Sequence, residues 1–459
     1  MIHRYQKKGL NFVLDVNSGA VHLLDDISYA VSGLLDENMG DTCPQSIIDA
    51  LPDYTADEIR EAYDELYELK KAGQLFAEDD YIDVSRYIPV GAPVKALCLH
   101  VAHDCNLRCK YCFASTGDFG QGRKIMPPEV AKKAIDFVIA RSGKRRNIEV
   151  DFFGGEPLMA WDTVTQTVDY ARSIEEQHGK KFRFTITTNG LLLDEDKRRY
   201  INENMDNCVL SLDGRREVND EFRKTVAGTG SYDTIVPKFK ALVDERDPNL
   251  DYYARGTFTS HNLDFAEDVL SIADAGFDRL SVEPVTADPG CGYDLTEDDL
   301  PKIEAEYDRL TDIMLERKKE GKPFTFFHFM VDLDQGPCVV KRLRGCGAGY
   351  EYVAVTPDGD IYPCHQFVGK DEFKQGSVLD QSFNMDIAQK FAGMNIYSRP
   401  KCQKCWAKFY CSGGCSAANY NMNHDMNDSY DLGCEMERKR LECAIYLKAM
   451  DKICEEEAK

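Results

Sequence analysis

No stretch of this chain approaches the eighteen or more apolar residues of a membrane span. Its start, "MIHRYQKKGLNF", carries no apolar segment of the secretory type. A soluble, cytoplasmic chain without a membrane partner is therefore expected. Positive charge is also short, with 56 Lys and Arg against 79 Asp and Glu and a formal net charge of −23. Nucleic-acid binding needs clustered cations that displace counterions, so no nucleic-acid partner is expected. The chain has 17 cysteines, and in the cytoplasmic setting expected for it clustered cysteines are better read as metal ligands than as disulfides. Ten of them fall into tight motifs.

What is present suits two or three domains, since 459 residues with 43% hydrophobic content can build full cores. The acidity is uneven. Between Asp25 and Asp83 stand 17 acidic residues against three basic ones, a net of −14. Within residues 1–88, "NFVLDVNSGAVHLLD" alternates like two strands around the turn "NSG". "ISYAVSGLLDE", "QSIIDAL" and "ADEIREAYDELYELKKAG" follow with helical spacing. Two strands and three helices suggest a winged-helix arrangement. A surface this acidic would repel phosphate and suits a basic peptide, or else is simply a solvated face. The pattern resembles the RiPP recognition element, which holds leader peptides as an added strand. Deleting such a domain is expected to weaken peptide binding and leave the rest working. "YIPVGAP" (87–93) reads as a linker.

From Val94 the chain alternates. Strand candidates are "VKALCLHVA", "NIEVDFF", "FRFTITT", "NCVLSLD", "YYARGTFT" and "FDRLSVEP", with helix candidates such as "PEVAKKAIDFVIARS" and "WDTVTQTVDYARSIEEQ" between them. Six βα units over 94–320 predict an α/β fold, a partial (β/α)6 TIM-like barrel with right-handed crossovers. Chemistry in such barrels gathers at the C-terminal ends of the strands, and each notable motif here sits at such an end.

The first is "CNLRCKYC", with Cys105, Cys109 and Cys112. Three thiolates suit a 4Fe-4S cube with one iron left open. A zinc site would want a fourth Cys or His at short spacing, which the neighbourhood lacks. CxxxCxxC with an aromatic, Tyr111, before the last Cys resembles the radical S-adenosylmethionine (SAM) superfamily. That resemblance implies that the open iron chelates SAM and that an electron cleaves it to a 5'-deoxyadenosyl radical. "FFGGEP" resembles the family's GGE motif. Gly154 and Gly155 allow close backbone approach to a ligand, and with Pro157 beside it Glu156 is expected to accept from the SAM ammonium. By the same resemblance, SAM contacts are expected from Ser211 and Arg255, while Asn189 and Asp213 are either contacts or turn residues.

The last third, 321–459, holds Cys346, Cys364, Cys402, Cys405, Cys411, Cys415 and Cys434. This layout resembles the SPASM domain, which carries two auxiliary 4Fe-4S clusters; zinc knuckles are the alternative. The resemblance assigns Cys402, Cys405, Cys411 and Cys434 to one cluster and Cys346, Cys364 and Cys415 to the other, with Cys338 open as a fourth ligand. Three 4Fe-4S clusters and SAM are thus the expected cofactors.

Over the whole chain the resemblance is to maturases of six-cysteine (SCIFF) peptides, which form Cys thioethers as in sactipeptides and ranthipeptides. It implies an anaerobic setting, a cysteine-rich precursor with a basic leader, and a low-potential donor such as ferredoxin or flavodoxin. An anaerobic sulfatase maturase is the rival, but those enzymes carry Asp after the cysteine matching Cys364, where this chain has His365, a candidate catalytic residue. A non-catalytic iron-sulfur peptide carrier or redox sensor is the other alternative.

Overall fold

The computed structural model describes residues 1–83, 93–333 and 339–457. Cys338 and all of the linker stretch except Pro93 lie outside them. At the N-terminus, β1 (Ile2–Lys7), β2 (Leu10–Asp15) and β3 (Val21–Leu24) form an antiparallel sheet in that order. The two-strand reading missed β1. Its turn, Lys8–Gly9, has both φ angles positive, 51° and 78°, the two-residue geometry that matches strand twist. A lysine at the first position carries little turn signal.

Helices α1 (Asp26–Ser32), α2 (Gln45–Ala50) and α3 (Ala56–Lys71) follow. Thr55 and Glu58 close a reciprocal cap on α3, which buries Ile59, Ala62, Tyr63 and Leu66 at helical spacing. Val13 of β2 packs into this helical layer. Alternate residues of a strand face opposite sides, so Phe12 and Leu14 point away from α1–α3 and pack on Ile445 and Tyr446 of the C-terminal helix, Asp431–Glu457. The N-terminal unit is therefore built into the body.

All six candidate strands form. β4 (Ala96–His103) carries the short antiparallel β5 (Lys124–Ile125). β6 (Asn147–Gly154), β7 (Lys181–Thr188), β8 (Asn207–Ser211), β9 (Asp251–Phe258) and β10 (Arg279–Pro284) continue in sequence order, each parallel to its neighbour. The two quoted helix candidates appear as Pro128–Arg141 and Trp161–His178. Phe182, Phe184 and Ile186 of β7 are fully buried in the main core, while Arg183, Thr185 and Thr187 take the other face.

The sheet does not stop at residue 320. β11 (Thr325–Phe326) joins β10 in parallel, β12 (Tyr352–Val355) joins β4 in parallel, and β13 (Asp360–Tyr362) pairs antiparallel with β12. A boundary between 320 and 321 would cut one continuous sheet of 12 strands. Among the described residues, no helix is long and apolar enough to cross a membrane.

Candidate active site and cysteine centres

At the C-terminal ends of the parallel strands lies a cavity of about 270 Å³. Cys105, Cys109 and Cys112 line it together with the Gly154–Pro157 turn. Burial raises all three thiols, Cys105 and Cys109 to about 12. Without iron they are therefore protonated at neutral pH, and loading them with metal must release protons.

The two glycines line the cavity and also let the chain's own backbone come close. A side chain on Gly154 (φ 125°) would strike the Ala102 carbonyl, and one on Gly155 would strike the carbonyls of Asp104 and Gly117. The space they free is filled by the cysteine loop's own backbone, held by Gly155 N–H to Ala102 O at 2.7 Å and Glu156 N–H to Asp104 O at 2.9 Å. The glycines thus lock the cysteine loop to the end of β6.

Glu156 is 1% exposed and accepts from Leu158 N at 3.0 Å, Thr188 Oγ1 at 2.7 Å and Asn189 N at 2.8 Å. Burial lifts its carboxyl to about 7 against the pull of these bonds. Its oxygens tie the end of β6 to the end of β7. Asn189 also lines the cavity, with Nδ2 donating to Asn106 at 2.7 Å and lying 3.6 Å from the Cys105 sulfur.

Ser211 and Arg255 reach the cavity, and Arg255 is ion-paired with Glu283. Asp213 does not line it. This carboxylate is fully buried, taking Tyr111 Oη at 2.6 Å, Thr257 N at 3.0 Å and the Arg223 guanidinium at 3.0 Å. It holds Tyr111, which does line the cavity, in place. Arg223 and Glu283, both at the cavity, were missed. Arg223 sits in no motif, but Glu283 ends the strand "FDRLSVEP", where the strand-end rule already pointed.

His365 closes the same cavity from the C-terminal region. β12 lies beside β4, and the chain leaving β13 carries Cys364 and His365 back along the sheet. There the imidazole packs at 5.1 Å from Phe153 and 5.4 Å from Phe113, ring to ring, with Nδ1 3.4 Å from Tyr352 Oη. Burial lowers it to about 4, with Arg255 adding to the effect, so it is a neutral imidazole at pH 7.

Two more cysteine groups lie beyond. Cys402, Cys405, Cys411 and Cys434 line one cavity of about 330 Å³. Burial raises Cys411, with Glu437 and the three other cysteines adding to it. Cys364, pushed up to about 12 by burial, has Cys415 and Cys346 beside it. None of these cysteines is in a disulfide.

Among the described residues, no three His, Cys, Asp or Glu side chains are placed to hold a single metal ion. A four-iron cube puts each thiolate on a different iron, so its ligands stand further apart than those of one ion. Free thiols in sets of three and four, two of these sets lining cavities, fit such clusters.

An α/β enzyme with a three-thiol loop at its strand ends and further cysteine sets beyond is the class these features define. Residues 99–251 match the Radical SAM superfamily, and residues 346–406 match SPASM, an iron-sulfur cluster-binding domain. The chain is a radical SAM enzyme that carries a SPASM domain and takes SAM and iron-sulfur clusters as cofactors. It is similar to the cysteine-type anaerobic sulfatase-maturating enzyme of Clostridium novyi, 25% identical over 350 residues, covering 72% of this chain and 90% of that one. In structure it resembles native anSMEcpe with bound AdoMet and Cp18Cys peptide (TM-score 0.64, 20% identity, 79% of this chain and 99% of that one). It also resembles Streptococcus suis SuiB bound to precursor peptide SuiA (TM-score 0.52, 17% identity, 93% of this chain and 97% of that one).

Proposed function

We propose that this enzyme installs a Cys thioether in a ribosomally made, cysteine-rich SCIFF-type precursor peptide. The observation that carries the reading is the shared cavity, where the three-cysteine loop and His365 of the SPASM region face one another. Cys105, Cys109 and Cys112 would hold the cluster that binds SAM, and the two further cysteine groups would hold auxiliary clusters. When bound, SAM and its cluster supply a carbon-centred radical able to take a hydrogen from a peptide carbon.

The chain's own residues do the rest. Glu156 and the paired glycines fix the cysteine loop to β6 and β7, and Asp213 fixes Tyr111. The Arg255–Glu283 pair presents charge of both signs at the cavity. His365 offers the peptide a neutral ring between Phe113 and Phe153.

The N-terminal unit, residues 1–88, would act as a RiPP recognition element. β3 pairs only with β2 among the described residues, so its outer edge can take a leader strand. The acidic helices around it suit a basic leader. The structural likeness to SuiB reaches 93% of this chain, against 79% for anSMEcpe, and that wider span supports the leader-binding reading over a sulfatase maturase.

The test is anaerobic co-expression with a short, cysteine-rich peptide bearing a basic leader, followed by mass spectrometry. Loss of two hydrogens per cross-link, localised to a Cys, is expected. A formylglycine in place of Cys would establish the sulfatase-maturase reading, and absence of 5'-deoxyadenosine would favour the carrier.

A further inference from the structure

Arg399 stands one turn ahead of Cys402 and is 3% exposed. Its guanidinium donates to the Gly413 carbonyl and to Ser416 Oγ at 2.9 Å, while Nε has no partner. No carboxylate pairs with it among the described residues. The groups whose charge bears on it are Cys402 and Cys411 of the four-cysteine cavity, and Cys415 and Cys346 of the other set. Gly413 lies in the left-handed region (φ 88°), and a side chain there would collide with the guanidinium. The chain thus makes room for a cation between the two groups.

A guanidinium does not shed its proton in a protein, so burial without a counter-charge is costly. Cysteines bind iron as thiolates, so an occupied site adds negative charge around the guanidinium. The counter-charge for Arg399 therefore arrives with the clusters.

We propose that Arg399 is a redox-positioning cation shared by the two auxiliary cysteine sites, favouring the more negative, reduced state of each cluster. This rests on reading both sites as cluster sites. It predicts opposite effects in the loaded and metal-free protein, which a merely structural arginine would not produce.

The test compares wild type, Arg399→Met and Arg399→Lys as full chains, using redox titrations followed by electron paramagnetic resonance. Control variants Cys434→Ala and Cys364→Ala assign each signal. In Arg399→Met both auxiliary potentials should move to more negative values, and in Arg399→Lys by less. After iron removal by chelator, Arg399→Met should melt at or above the temperature of metal-free wild type. Potentials unmoved in Arg399→Met with both signals present would overturn the redox role. A shift at one site alone would overturn the sharing. Absence of any signal that depends on Cys434 or Cys364 would overturn the cluster reading and this inference with it.

Discussion

Removing the N-terminal unit should damage the far end of the molecule. β2 is buried on both faces, and its Phe12 and Leu14, with Tyr5, share a core with Ile445 and Tyr446. Val16 shares another with Cys402 and Phe409. Uncovering a large buried apolar side chain forfeits about 1.5–3 kcal/mol. Stripping cover from Ile445, Tyr446 and Phe409 therefore costs about 5–9 kcal/mol, comparable with the 5–15 kcal/mol, roughly, that holds a whole domain folded. Lys408, 4% exposed at its side chain, also loses its 2.8 Å partner Asp79 and becomes a buried unpaired cation. A chain beginning at residue 84 should melt well below the full chain, lose iron from the four-cysteine site first, and be cut by trypsin within 399–411. The expected clean separation of peptide binding from SAM cleavage would then fail. Equal melting temperature and equal iron per chain in the truncated protein would refute this account. Point changes along β3 are the sounder probe of leader binding.

Replacing Cys105, Cys109 and Cys112 together by Ala should abolish 5'-deoxyadenosine release while the auxiliary signals persist, as judged by product chromatography and spectroscopy. Asp213→Asn leaves Arg223 buried without its charge partner, 3.0 Å away, and should cost about 3–5 kcal/mol in urea unfolding. Asp151 is raised to about 7, first by burial and then by Glu149. Its folded form therefore keeps a proton that the unfolded chain releases near pH 4, so its contribution to stability falls as pH rises from there to about 7. Asp151→Asn should accordingly gain on wild type in urea midpoint between pH 5 and pH 8. His365→Ala should retain SAM cleavage yet lose cross-linked peptide, read as the ratio of thioether to 5'-deoxyadenosine.

The cysteine motifs and the six strands could be read from sequence because their signals are local. An apolar run followed by CxxxCxxC is a strand ending in a ligand loop whatever the rest of the chain does. Roles that depend on distant partners were not readable. Asp213 ends a strand as a ligand contact would, yet its carboxylate is taken by Tyr111, Thr257 and Arg223. Glu156 carries a motif, but its three hydrogen bonds come from residues 158, 188 and 189. The fusion of the N-terminal unit was hidden because β2 reads as an ordinary alternating strand. Only the C-terminal helix, more than 400 positions later, turns its second face into core.

The grouping of the auxiliary cysteines shows how a local signal can carry a distant consequence. In "CSGGC", Cys411 and Cys415 are four residues apart, yet they belong to different sets. Three consecutive residues between them, Ser412, Gly413 and Gly414, have φ of 59°, 88° and 73°. L-residues with a Cβ seldom adopt this region, so two glycines are the natural occupants. Serine accepts the first position as the end of the short helix Lys408–Cys411. The run of left-handed residues reverses the chain and delivers Cys415 to the start of the next helix, Ser416–Asn423, beside Cys346 and Cys364. The same reversal leaves the side-chain-free flank of Gly413 against Arg399. One five-residue turn thus separates two cysteine sets and leaves room for the Arg399 guanidinium, so Gly413 is required by backbone geometry and by the space beside it at once.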